Sequence, residues 1–444
     1  MTRFNHFFNI FYRSMTIPSI WVLYFMMSFR VLSRLPLGII QEILTAIFLL
    51  LLFAITLWDF LKQLINGKVK LIFLILFPLM VLPFITAYQA NVVFGQPIVY
   101  GLIAQRLHFV LLCANVAVIA LEQKWLSIGD LHRYFKYSIL LSLAFMLFFY
   151  VFVDPTQFSG TEFVKSTLLK GDRYDFPNQI VMVVMLYSVI NIWLNKKPIY
   201  YIPFILSVFS SLFYVQDRSQ LLFVAITIFL LFIFHLNLKK KLIYFFTGIL
   251  AIIFMVGVIF IIKPDIFEKY LVMYNNAVTV ITGGTTTESS TLIRYVESAT
   301  ALKGIKEHPW LGNGFLSSQW HDGYMGAFGY FYPSDIGILG NVFVYGYIGT
   351  FFIYIMFIYS LTWAWRFRKS KDVFLLTSLY VMVFLFLDMI TAATNIKYLG
   401  LPTFFFGILY YYRFNVPMNK IEMHSPPPRK NKFSMKVPIE NVES

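Results

Sequence analysis

Charged side chains are scarce: Asp, Glu, Lys and Arg make up 13% of the 444 residues, where soluble chains carry about 25%. With 59% hydrophobic residues, the chain has more apolar surface than a water-soluble core can hide, so lipid is its solvent. Cysteine is nearly absent. The single Cys113 lies in an apolar run, which excludes a disulfide framework, a thiol pair and a cysteine metal site. The sequence also lacks a GxxxxGK[ST] phosphate loop, an HExxH pair and a large cytoplasmic catalytic domain, and so excludes a nucleotide-driven pump. No DxD-like carboxylate pair suggests a metal-dependent sugar transferase, so any catalysis is expected to proceed without a metal or another cofactor.

What is present points to a membrane. Aromatic residues reach 19%, with 50 Phe and 28 Tyr, as suits a surface facing acyl chains and helix ends at headgroup level. The net charge of +15 does not imply nucleic acid, because the basic residues form short clusters between apolar runs and no continuous face. Runs of about 20 apolar residues fall near 37–58, 69–88, 99–120, 136–154, 178–195, 198–215, 219–236, 241–263, 335–363, 372–391 and 397–413. A shorter run at 15–29 either spans or lies in the interface, with Trp21 and Tyr24 at headgroup level. The expected fold is therefore all-α and polytopic, with 11–12 transmembrane helices. If both termini are cytoplasmic, the inside stretches hold about twice as many Lys and Arg as the outside ones, as the positive-inside rule requires. No cleavable signal is expected, because the first apolar run is followed by Arg30 and Arg34 and lacks a small-residue cleavage site.

Two outside segments are too long for turns, 155–177 and above all 264–334, and function is expected there. Within the second, ESSTLIRYVESATALKGIKEH reads as an amphipathic helix capped by Ser289 or Ser290. Its apolar stripe is Leu292, Tyr295, Ala299 and Leu302, and Pro309, Gly312 and Gly314 end it. The stretch after Arg413, containing SPPPRKNK, reads as a disordered cytoplasmic tail.

Only His308 and His321 fall on the expected outside. His308 precedes Pro309 at a helix end, where a cationic side chain simply favours the C-terminal dipole. His321 sits in SSQWHDGYMG between Trp320 and Asp322, with Tyr324 close behind. An aromatic and polar cluster of this kind can hold a sugar, while the plainer reading is a surface histidine. Three outside arginines have compact settings: Arg173 in KGDRYDF beside Tyr174, Arg218 in VQDRSQLL, and Arg294 in TLIRYVE. Arg218 occupies a tight turn between two spans, where a charge at membrane depth marks a functional site unless it merely anchors a helix end through Asp217. Arg106 and Asp388 fall inside expected helices and are candidates for a mutual pair.

The run from Arg294 to Gly349 resembles the signature region of the O-antigen polymerase and ligase superfamily of bacterial surface polysaccharide assembly. The matching residues are Arg294, Ala301 and Ile305, HPWLGNGF (His308 to Phe315), His321, SDIGILG (Ser334 to Gly340) and YGYIG (Tyr345 to Gly349). Upstream, QDRSQLL with Arg218 is similar to the family's short arginine turn. The chain departs from ligase members where Asp322 and Gly323 follow the loop histidine. YPSDIGILG looks more like the capsular and exopolysaccharide polymerases, which favours polymerase over ligase.

The resemblance implies transfer of a growing glycan from a polyprenyl pyrophosphate to a hydroxyl of the next lipid-linked repeat unit, at the outer face of a bacterial plasma membrane. It implies catalytic roles for Arg218, Arg294 and His321, and substrate binding by Arg173, Tyr174, Trp320, Asp322, Tyr324 and Asp335. A chain-length regulator and a flippase are the partner proteins it suggests. A lipid-linked oligosaccharide flippase or transporter, and a ligase, remain the alternatives.

Overall fold

The computed structural model describes residues 18–32, 39–158, 164–167, 171–215, 218–235, 289–392, 399–417 and 421, with isolated positions between 257 and 279. The apolar segment at 241–263, most of 264–288 and the tail lie outside the described residues. So do the side chains of Arg173, Arg218, Ser289, Ser290 and Leu292.

The helices are, in chain order, α1 (Pro18–Ser28), α2 (Ile39–Ile65), α3 (Leu71–Phe94), α4 (Ile98–Ala104), α5 (Cys113–Glu122), α6 (Ile128–Phe152), α7 (Gln179–Asn195) and α8 (Tyr201–Ser210). They continue as α9 (Arg218–His235), α10 (Ser289–Glu307), α11 (Tyr324–Phe328), α12 (Gly337–Phe367), α13 (Val373–Thr391) and α14 (Gly400–Asn415). The exception among the described residues is an antiparallel pair between α6 and α7, β1 (Val164–Thr167) and β2 (Gly171–Tyr174), with Val164 opposite Tyr174. Among the described residues, six helices are long and apolar enough to cross a bilayer, or seven if α4 and the residues through Glu122 are one bent span. The protein is thus a helical membrane protein.

The apolar faces sort by position. Residues of α7, α13 and α14 are buried around almost their whole circumference, as an all-apolar helix at the centre of a bundle must be. On α2 the residues Ile43, Ile47, Leu50 and Leu57 are exposed, a surface that only acyl chains can cover. Close packing relies on small residues: a Cβ on Gly407 of α14 would stand 3.0 Å from the Ala114 carbonyl of α5.

Three expectations are corrected here. The run 99–120 is not one straight helix: it breaks at Gln105, where α4 gives way to a 3₁₀ segment, and the pieces meet at 52°. Arg106 stands at that break, partly exposed, and its Nε donates to Glu42 of α2 at 3.0 Å. Asp388 is instead bonded to Gln179, whose Nε2 donates at 3.0 Å. Finally, the stripe Tyr295 and Leu302 is the exposed side of α10, while Glu297, Ala301, Gly304 and Ile305 are buried. Gly304 decides the matter, because it lets α10 lie against the Phe343 ring, where a Cβ would meet carbon at 2.5 Å. Close backbone approach outweighs the larger hydrophobic residues on the other face.

Candidate functional site

Of the two helices at this site, α3 lacks one ladder bond and α12 is broken, and the resembling motifs meet at the break of α12. In α3, Pro83 has no N–H to offer the Leu79 carbonyl. His108 supplies the missing donor, its Nε2 lying 2.9 Å from that oxygen, which makes Nε2 the protonated nitrogen. In α12 the ladder breaks at Gly346 (φ 66°, ψ −176°). Here the HPWLGNGF run docks backbone to backbone. Asn313 N–H donates to the Phe343 carbonyl at 2.7 Å and Gly314 N–H to the Val344 carbonyl at 3.1 Å. Tyr347 N–H donates to the Pro309 carbonyl at 2.8 Å, and Ile348 N–H to the Trp310 carbonyl at 3.2 Å. Each bond satisfies a peptide group that would otherwise be orphaned in a dry interior, at about 1–3 kcal/mol apiece.

The same run reaches α3. Phe315 N–H donates to the Thr86 carbonyl at 3.1 Å. Gln96 clamps the chain from both sides, donating to the Phe315 carbonyl at 3.0 Å and accepting from Ser317 N–H at 2.7 Å. Gly346 and Gly314 have positive φ, and added Cβ atoms would stand 2.2 Å from the Trp310 oxygen and 2.3 Å from the Ala90 nitrogen. HPWLGNGF is therefore a staple holding residues 289–336 onto the bundle.

The expected site residues fall into distinct settings on this staple. Trp320 is half-buried with His321 edge-on to it, ring centroids 4.6 Å apart. His321 and Asp322 are exposed, and both have positive φ, 45° and 56°, a strained turn of the kind concentrated at functional sites. Tyr324 begins α11 and anchors that turn, its hydroxyl donating to the Gly314 carbonyl at 2.7 Å while its ring packs against Phe331 and Phe343. Burial pushes the phenol of Tyr324 well above its ordinary value. Tyr174 is buried among Phe149, Tyr150 and Phe176, so its ring packs the β2 strand onto α6.

A second group gathers about α10. Arg294 is exposed there, one turn before the buried Glu297. Glu297 Oε1 accepts from Tyr332 N–H at 2.9 Å. Asp335 is exposed at the end of a 3₁₀ turn leading into α12, and its carboxylate accepts from the Ser334 hydroxyl at 3.2 Å. Burial raises the Glu297 carboxyl above its ordinary value; the Tyr332 N–H opposes this, nearby Asp335 reinforces it and Arg294 opposes it again.

Sequence reading passed over Glu297, Tyr330 and Tyr332. The signal was there: an acid three residues after the arginine and a tyrosine pair in YFYPSD.

A third juxtaposition is one of helix ends. The first residue of α9 is Arg218, α7 begins at Gln179 directly after the strand carrying Arg173, and Asp388 lies in the last turn of α13. Gln179 and Asp388 are joined as described above, so α7 and α13 meet at this end of the bundle, and both pack against α9. Among the described residues, no group of three or more His, Cys, Asp or Glu side chains is placed to hold a metal ion. No protein-family model matches the chain, and no curated protein matches its sequence.

Proposed function

We propose that the protein is a polysaccharide repeat-unit polymerase, an inverting glycosyltransferase of the O-antigen polymerase type, working at the outer face of a bacterial plasma membrane. In this reading about twelve helices span, both termini are cytoplasmic, and the segments 155–177 and 264–334 lie outside. The observation that carries it is the setting of Arg294: an exposed guanidinium on a helix stapled to the bundle, beside the carboxyl groups of Glu297 and Asp335.

Glycan transfer from a polyprenyl pyrophosphate asks for this combination. The acceptor hydroxyl attacks the anomeric carbon, the bond from that carbon to the pyrophosphate oxygen breaks, and the oxygen leaves with the electron pair. Pyrophosphate needs no proton to leave. Guanidinium forks steady its growing charge, and a carboxylate or imidazole takes the hydroxyl proton. Arg294 and Arg218 fill the first role and His321 the second. Asp322 and Asp335 orient the acceptor, Trp320 and Tyr324 shape the sugar pocket, and Arg173, from the strand that Tyr174 anchors, meets the second pyrophosphate. A chain-length regulator and a flippase are the expected partners.

The test is made in cells that depend on this gene for long surface polymer. Arg294→Ala should cut polymer to single repeat units, a loss of about 100-fold in transfer rate. Arg294→Lys, which keeps the charge but not the fork, should recover only part of it. Full-length polymer from Arg294→Ala at normal protein levels removes the assignment.

A further inference from the structure

Glu297, on α10, is 1% exposed, and only half of its carboxylate is used. Oε1 accepts from Tyr332 N–H, while Oε2 is buried with no hydrogen-bond partner among the described residues. A buried carboxylate oxygen left unmatched costs several times what a made hydrogen bond contributes, so such a group is kept where something else completes it.

Its surroundings indicate what. Tyr330 and Tyr332, two residues apart, are 56% and 41% exposed, with ring centroids 5.3 Å apart and planes at 82°. The exposed Asp335 follows, its N–H bonded to the Tyr332 carbonyl at 2.9 Å. Two aromatic faces at right angles, one carboxylate on the rim and another beneath it make a site for a flat, hydroxyl-rich ring. Sugar C–H groups stack on aromatic faces, and a carboxylate accepts from two neighbouring hydroxyls at once.

We propose that Tyr330, Tyr332, Asp335 and Glu297 form a subsite for a neutral pyranose with vicinal hydroxyls, the acceptor sugar if the polymerase reading holds. Tyr330 is an exposed side chain near both Glu297 and Asp335, and a sugar stacked on it brings its hydroxyls towards both carboxyl groups. Arg294, next to this subsite, then faces the pyrophosphate of the donor whose anomeric carbon the acceptor attacks.

The experiment uses the full-length protein in lipid nanodiscs, because maltoside detergents themselves carry sugars. Saturation-transfer NMR is recorded with the methyl glycosides of glucose, galactose, mannose and N-acetylglucosamine, on wild type, Tyr330→Ala and Glu297→Gln. The glutamine keeps an oxygen for Tyr332 N–H and replaces only the free one, and the tyrosine is a surface residue, so both variants should run as wild type on size exclusion. At least one glycoside should receive transfer from wild type, and each variant should weaken its binding by about fivefold to tenfold. No transfer from wild type to any glycoside, or equal binding by wild type and both folded variants, overturns the subsite. Binding does not depend on catalysis. A sugar signal without polymer formation keeps the subsite and discards the polymerase, and polymer formation untouched by both variants does the reverse.

Discussion

The two ends of the bundle are fastened by different chemistry. At the end where α2 meets α3, side chains do the joining: Lys70 reaches Glu122 at 2.6 Å and Asp59 at 3.3 Å. Tyr412 donates to Asp372 at 2.7 Å, and Asp372 also caps α13. At the other end the backbone does it, through the peptide groups of residues 309–315, which are set into the break of α12 and against Thr86 of α3. Side-chain fastening works with many residue pairs, whereas backbone fastening demands glycine at fixed positions. A recognisable motif such as HPWLGNGF can thus report geometry more than chemistry. The expected site residues that the staple leaves exposed are Arg294, His321, Asp322 and Asp335.

Gly346→Ala breaks the backbone end most severely, because the new Cβ would lie 2.2 Å from the Trp310 oxygen at φ +66°. The expected loss is about 2–4 kcal/mol, and buried Cys113 makes a natural reporter of unfolding with a thiol-reactive dye. Lys70→Ala should cost less, about 1 kcal/mol, with polymer length unchanged. If Lys70→Ala is the more destabilising of the two, the contrast between the ends fails.

Glu297→Gln sharpens the contrast through pH. Burial holds this carboxyl above its ordinary 4.5, so the folded protein keeps a proton that the unfolded chain releases. Stability therefore falls as pH rises from 4.5 through the raised value. In Glu297→Gln that slope should vanish, visible in melting temperatures recorded across the acidic range; an identical slope would place the titration elsewhere. The smallest effect belongs to Leu302→Ser, on the exposed stripe of α10, expected to stay within about 0.5 kcal/mol of wild type. A large loss there would restore that stripe as a packing face.

The membrane class and most helix positions were legible in the sequence, because runs such as 69–88 and 372–391 need only enough apolar residues to cross lipid. The helix at 289–307 was legible too, but its buried face was not, since Gly304 and Ala301 carry little hydrophobic signal and matter through close approach to Phe343. Nor were the breaks at Gln105 and Gly346, where distant segments complete the hydrogen bonding. Arg106 and Asp388 were candidates for a mutual pair; each has another partner, Glu42 and Gln179. Of the site, Arg294 could be picked out by its setting, whereas Glu297 became visible only with its burial and its half-used carboxylate.

The central claim is tested most directly with purified protein and lipid-linked repeat units, in the presence of a chelator and without nucleotide. A ladder of longer lipid-linked glycans is the predicted result. No ladder, with the repeat units instead crossing a liposome bilayer that contains the protein, would contradict the polymerase and identify a transporter.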